Sequence, residues 1–232
     1  MLNIIRSDDR GAADHGWLKA KHTFSFAGYH NPSRVHFGKL RVINEDRIEP
    51  GKGFDTHPHN DMEIVTYIID GALEHKDSMG NGSIIRAGDV QRMSAGTGVL
   101  HSEFNPSDDK QVHLLQIWIF PAQKGLQPGY EQLHFKREEK LNRWRLIGSP
   151  DGGDGSVTIH QDVALYASVL EPGKLLSYRI DNGRKAFLQI VSGSVTVNGE
   201  TLRAGDAATL QGKGALELRA DEETEALLFD LD

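Results

Sequence analysis

Two short segments of this sequence carry side chains whose types and spacing suit the binding of a metal ion, Asp55-Thr56-His57-Pro58-His59 and His101-Ser102-Glu103. In an extended chain alternate residues share a face, so His57 and His59 point the same way with Cα atoms about 6.5 Å apart. Both can then reach one ion at a bond length of about 2.1 Å. The second segment repeats the geometry with an imidazole, His101, and a carboxylate, Glu103. On facing strands the two pairs place three nitrogens and one oxygen around a single site. The chain has no cysteine, so the donors are nitrogen and oxygen alone. Such a set suits one divalent cation, Fe, Cu, Ni, Mn, Co or Zn, with positions left open for water or a further ligand.

Other candidates read more plainly. Glu63 is either an acceptor that orients a ligand imidazole or a surface carboxylate, and the surface reading is favoured. His75, Asp77 and Ser78 follow a glycine turn and read as a hydrogen-bonded cluster. His22, His30 and His36 lie in the first strands, while His15, His113, His134 and His160 are isolated; each is expected to be satisfied or solvated. Phe24, Phe26, Tyr29 and Phe37 suit a pocket for a flat ligand, but aromatic residues more often fill cores. The glycines at 96 and 98 lack the Lys-Ser/Thr pair of a phosphate loop.

The strands that must position these residues belong to a chain of 232 residues, long enough for one large β domain or two. Its 25 glycines punctuate short runs rich in Val, Ile and Leu, which points to an all-β class. The chain also contains itself twice. Glu49-Pro50-Gly51-Lys52 recurs 122 residues on as Glu171-Pro172-Gly173-Lys174, and Arg86-Ala87-Gly88-Asp89 recurs 117 residues on as Arg203-Ala204-Gly205-Asp206. Between the repeats each half reads strand, glycine turn, strand. Strand patterning lapses from Pro121 to Gly155, where HFKREEKLNRW reads as a short helix or strap with a solvated face and Ser149–Gly155 as loop. The boundary is placed near residue 135, giving domains 1–134 and 135–232. The tail Leu227–Leu231 reads as a last strand, available to pair with the other half. Shifting His57 and His59 by the first offset lands on Arg179 and Asp181, and shifting His101 and Glu103 by the second lands on Leu218 and Ala220. None of these rebuilds the donor set, so the second domain is predicted to be metal-free.

The residues around both pairs resemble the cupin superfamily, whose first motif runs Gly, five residues, His-x-His, three or four residues, Glu, six residues, Gly. Gly51, His57 and His59 fit it. Measured back from Gly71, the motif's glutamate falls on Ile64, one place beyond Glu63, and strand parity turns Glu63 away. The second motif is matched by Gly88, Asp89, Gly96, Gly98, His101 and Asn105, without its proline. An acidic ligand at Glu103 instead resembles the pirin branch, as do HTFSFAGYH at 22–30, HFGKLRVINED at 36–46, HPHNDMEIVTYIIDGALEHKDSMGNGS at 57–83 and GDVQRMSAGTGVLHSE at 88–103. This resemblance implies a bicupin of two tandem jelly-roll β-barrels with His57, His59, His101 and Glu103 as ligands. It also implies dioxygenolysis of a flavonol such as quercetin with O2, with Glu103 as ligand or general base.

Two other classes stay open at this point. One is a metal-dependent regulatory protein acting through a protein partner, as pirins in nuclei do; the other is a different metalloenzyme, since fold does not fix function. Net charge is −7 with no basic cluster, which disfavours direct nucleic-acid binding. The opening MLNIIRSDDR is too short in apolar residues for a secretion signal, and no apolar run approaches the roughly 20 residues that span a bilayer. A cytoplasmic address without membrane contact is expected. Two barrels in one chain already give the pairing common among cupins, which points to a monomer.

Overall fold

In the computed structural model of the chain, which describes residues 2–232, strands carry nearly all regular structure, and the α-helix among the described residues is the single turn Arg137–Lys140. The residues divide into two units. One comprises Gly11–His134 and Val157–Gln161; the other comprises residues 2–10, Phe135–Ser156 and Asp162–Asp232. The units therefore differ from the expected domains by two short segments, and both have a local cause. Asn3–Ile5 pairs with Ala207–Gln211, and Asp206 accepts Arg6 Nη1 at 3.0 Å and the Ser7 amide at 2.7 Å, which ties residues 2–10 to the second unit. Val157–Gln161 is held in the first unit by Glu131, which accepts the Thr158 amide at 2.8 Å, and by the Phe120 carbonyl, which accepts Gln161 Nε2 at 2.8 Å.

Each unit is a sandwich of a long and a short antiparallel sheet, a jelly-roll. In the first, the long sheet runs Gly129–His134, Asp89–Ser94, Glu63–Asp70, Val112–Ile119, Leu40–Ile48, Leu18–His22, Gly11–Asp14, and the short one Gly53–His59, Val99–Phe104, Ala72–Asp77, Gly82–Arg86. The second unit repeats the order with Asn3–Ile5, Ala207–Gln211, Lys185–Ser192, Thr224–Leu231, Val163–Leu170, Arg145–Ser149 over Leu175–Ile180, Gly214–Ala220, Ser194–Val197, Glu200–Arg203. The tail strand pairs with Val163–Leu170 and Lys185–Ser192, inside its own unit, and not with the other half as the sequence had left open. The glycine turns at Gly71 and Gly193 are not hairpins. Each passes the chain from the long sheet to the short one, with φ of 80° at both.

The repeated tetrapeptides are repeated turns. In both copies of Glu-Pro-Gly-Lys the Lys amide donates to the Glu carbonyl, at 3.2 and 3.1 Å, and the glycine has positive φ as a type II turn requires. In both copies of Arg-Ala-Gly-Asp the aspartate side chain accepts the arginine amide, at 2.8 and 3.1 Å. The aspartate also anchors an added strand: Asp89 accepts His134 Nδ1 and Gln132 Nε2, while Asp206 takes Arg6 and Ser7.

The interiors differ. In the first unit one apolar cluster gathers around Leu18, Ile48, Ile68, Leu73, Ile85 and Leu114, and a smaller one is made of Ile64, Met93, Ala95 and Val99. Between them runs a row of polar residues in direct register, His22, Asn44, Gln116, Thr66, Gln91 and Gln132, one from each of six strands. Register places Tyr166, Leu228, Leu188, Ala208 and Ile4 in the matching row of the second unit, where Leu188, Ala208 and Leu228 belong to an apolar cluster and Ile4 and Tyr166 pack against it.

The segment expected to be a solvated face is only partly so, because Lys140 is buried and pairs with Glu225 at 2.8 Å. No helix among the described residues is long and apolar enough to cross a membrane.

The close pairing of Gly53–His59 with Val99–Phe104 yields a test. A Cβ on Gly53 would lie 2.1 Å from the Glu103 carbonyl oxygen and 2.5 Å from Phe104 Cα. Gly53→Ala is expected to cost about 1–3 kcal/mol in urea denaturation. Gly28→Ala, whose Cβ meets nothing within 4 Å, is expected to stay near the parent value.

Candidate metal centre

The short sheet of the first unit builds the site. Val99–Phe104 lies between Gly53–His59 and Ala72–Asp77, with His101 opposite His57 on one side and Asp77 on the other, and with Glu103 opposite His75. A register shift at 101–103 makes Phe54, rather than residue 55, face Glu103. The extra residue re-aims the strand so that Phe54, His57 and His59 all meet the inward face.

His57, His59 and His101 converge as a tripod, with ring centroids 4.9, 4.4 and 4.8 Å apart. Their ligand nitrogens lie within 4.8 Å of one another. His57 Nδ1 donates to the Asp55 carbonyl at 2.7 Å, since a carbonyl only accepts, and its Nε2 keeps a free lone pair. His101 is buried, and its Nε2 has no hydrogen-bond partner. A buried ring nitrogen without a partner, beside two further imidazoles, is an expensive arrangement unless a cation completes it. The residues present therefore fit a divalent cation held by nitrogen.

The Glu103 carboxylate forms a second group with His101 and His75, so His101 is shared by two overlapping triads. Both Glu103 oxygens accept from Gln116 Nε2, at 3.1 and 2.9 Å, and Gln116 Oε1 accepts from Thr66 Oγ1 at 3.2 Å. Burial pushes the Glu103 carboxyl above the usual carboxylate range, partly offset by Gln116 and the nearby imidazoles. Burial and then the His57 charge push His59 down to about 4, and burial followed by His57 and His59 pushes His101 down to about 2. Both are neutral near pH 7, as metal ligands must be.

Several residues lie where the sequence did not put them. Glu63 does turn away from the tripod, on the opposite strand face from Ile64, but it is no surface carboxylate. It is buried, and its Oε2 accepts Ser94 Oγ at 2.9 Å, the His160 amide at 3.2 Å and His160 Nδ1 at 3.1 Å. His160, isolated in the sequence, is thus satisfied by this carboxylate. His75 is buried against the centre, with Nε2 on Asp77 at 3.1 Å and Nδ1 facing His101 Nδ1 at 3.5 Å. Asn105 holds a loop, donating to the Ile48 and Lys110 carbonyls. Of the aromatic residues, Phe24 is core, whereas Phe26 packs edge-on to Trp118 at 5.4 Å, and Trp118 to His59 at 5.0 Å. Gln116 and Trp118 had a signal in the sequence: they are two apart in the strand Val112–Ile119 and share a face with Leu114. His59 also lines a surface cavity of about 590 Å³.

In the second unit the register pairs Leu176 with Leu218, Tyr178 with Leu216 and Ile180 with Gly214. The bulge of the first unit is missing, so the places of His57, His59, His101 and Glu103 fall to Tyr178, Ile180, Leu216 and Leu218, and not to the residues that fixed offsets indicate.

Comparison with known proteins follows this division. The family model described as Pirin matches residues 5–119, and that described as the quercetinase C-terminal cupin domain matches residues 146–231. A protein of Escherichia coli strain K12 named quercetin 2,3-dioxygenase is 46% identical over 231 residues, covering 100% of this chain and 99% of its own. The crystal structure of YhhW from Escherichia coli matches with a TM-score of 0.96 at 46% identity, covering 100% of this chain and 98% of that one. A structure of bacterial pirin YhhW in complex with nickel(II), also from Escherichia coli, matches at 0.95 and 45% identity, covering 100% and 99%.

The depressed His59 value gives the metal-free protein a pH signature. The folded value, about 4, lies below the 6.5 of a free imidazole, so the stability tied to neutral His59 is complete above pH 6.5 and lost as pH falls toward about 4. The melting temperature of the metal-free protein minus that of its His59→Asn variant is expected to shrink over this window and level off below it. A difference that stays constant with pH would contradict the assignment.

Proposed function

The chain belongs to the pirin family of the cupins, and on that premise we propose that it is a metal-dependent dioxygenase that opens the heterocyclic ring of a flavonol such as quercetin with O2. The observation that carries the reading is the tripod of His57, His59 and His101 beside a buried carboxylate, Glu103. Support comes from the relative named for this activity and from the relative solved with nickel(II). His57, His59 and His101 would hold the divalent cation, with Glu103 as the fourth donor. When bound, the cation acts as a Lewis acid that lowers the pKa of a coordinated hydroxyl.

The chain's own groups supply the rest. A flavonol carries a 3-hydroxyl beside a 4-keto oxygen, and its ring opening needs that hydroxyl proton removed. Glu103, with its carboxyl raised by burial, is matched to receive a proton from a weak acid better than an exposed carboxylate is. Gln116, itself fixed by Thr66, holds both Glu103 oxygens and so sets where that proton is received. Trp118 and Phe26 add flat apolar surface next to His59, which suits a planar aromatic ligand and excludes water from its faces. His57 and His59 are partly exposed while His101 is buried, so the tripod meets solvent from the His57–His59 side.

The test is oxygen uptake coupled to quercetin loss, using protein stripped of metal and reloaded separately with Fe, Cu, Mn, Ni, Co and Zn. Turnover is expected to depend on the metal and to be abolished in His101→Ala. In Glu103→Gln it should fall by about 10²–10⁴-fold with folding preserved. Stoichiometric metal binding without consumption of quercetin or O2 would instead favour the regulatory reading, in which metal state changes affinity for a protein partner.

A further inference from the structure

We infer that Asp77 and His75 form a positioning relay that fixes the tautomer of His101, leaving its Nε2 lone pair aimed at the cation; the inference rests on the metal-binding reading of the site. It starts at a turn. Residues 77–81 close around Asp77, whose Oδ1 accepts the Met79 amide at 2.9 Å and the Asn81 amide at 3.0 Å, while Asn81 Nδ2 donates to Oδ2 at 2.9 Å. These donors hold Asp77 below the usual carboxylate range despite its burial, so it is an acceptor only. The proton between Asp77 Oδ2 and His75 Nε2, 3.1 Å apart, therefore sits on the imidazole.

A histidine with one ring proton, placed on Nε2, has a bare Nδ1. That atom faces His101 Nδ1 at 3.5 Å, the outer limit of a hydrogen bond. Two imidazole nitrogens facing each other need one proton between them, and with Nδ1 of His75 bare it belongs to His101 Nδ1. The lone pair of His101 is then on Nε2, the buried atom without a protein partner. His57 shows the same logic with a simpler acceptor, the Asp55 carbonyl on Nδ1. His75 has no freedom to turn away. Its side chain and that of Asp77 are fully buried, and the Tyr130 ring lies 5.0 Å from it at 31°. The Tyr130 hydroxyl is tied in turn to Ser83 and to Gln132.

Three variants test the relay: His75→Leu removes the acceptor, His75→Gln keeps one in its amide oxygen, and Asp77→Asn allows an amide to donate to Nε2 and move the His75 proton to Nδ1. Two readouts are needed. Imidazole ¹⁵N NMR of the metal-free protein should show His101 as a single Nδ1–H tautomer in the parent and in His75→Gln, and a mixture in His75→Leu. Nickel(II) affinity by calorimetry should fall by about 10–100-fold in His75→Leu and Asp77→Asn and recover in large part in His75→Gln. A single unchanged tautomer in a folded His75→Leu, or an equal loss of affinity in His75→Gln, overturns the relay. If His75→Leu does not fold, Asp77→Asn decides, and an unchanged tautomer and affinity there overturn it as well. Failure of the parent to bind nickel(II) would sink the metal reading instead, and the NMR comparison would still decide whether His75 sets the tautomer.

Discussion

The structure depends on the register of one strand. Val99–Phe104 is paired on both sides, and period two puts Val99, His101 and Glu103 on its inward face. One neighbour brings His57 opposite His101; the other brings Asp77 opposite His101 and His75 opposite Glu103. A one-residue slip would send all of these to the other face. Nothing in the site is therefore positioned by a flexible loop. Within this short sheet the register shifts at the bulge opposite residues 101–103, which lets two histidines of Gly53–His59 join a face already set by its neighbour.

The same scaffold without that bulge shows what the site costs. Both units keep the two turns, the two sheets and the strand order, and even the aspartate that anchors an added edge strand. In the second unit the corresponding row lies in or against an apolar cluster. In the first unit that row is His22, Asn44, Gln116, Thr66, Gln91 and Gln132, and it runs between two apolar clusters. Burying such groups is unfavourable unless each finds a partner. Some do: His22 Nδ1 meets Asn44 Oδ1 at 2.9 Å, and Thr66, Gln116 and Glu103 form a chain. Gln91 Oε1 and Trp118 Nε1 find none. Partners left unmet around an inward-facing cluster are where a bound molecule gains the most.

Much of this was legible in the sequence because the signals were local. The period of a strand related His57 to His59 and His101 to Glu103, and two identical tetrapeptides exposed the duplication because each encodes a turn with its own glycine and side-chain requirement. What stayed hidden was long-range. His75 reads as a turn residue until the strand Ala72–Asp77 is seen beside Val99–Phe104. Glu63 and His160 are 97 residues apart, and no periodicity joins them. Fixed offsets mis-assigned the counterparts in the second unit because a bulge and a turn of different length change the count without changing the fold.

The displacement of the acidic residue from position 64 to Glu103 has a physical logic. Position 64 lies on a central strand of the long sheet, and there Ile64 packs with Met93, Ala95 and Val99 in the smaller apolar cluster. A carboxylate at that place would remove the largest member of a small core. At 103 the carboxylate instead faces the polar row, where Gln116 can donate to both of its oxygens. Even so, burial keeps its pKa raised, because Gln116 and the nearby imidazoles offset the desolvation only in part. His59 and His101 cannot supply it by taking up protons, because burial has pushed both far below neutrality. A divalent cation held at their nitrogens would meet both the unpartnered Nε2 of His101 and the buried carboxylate of Glu103.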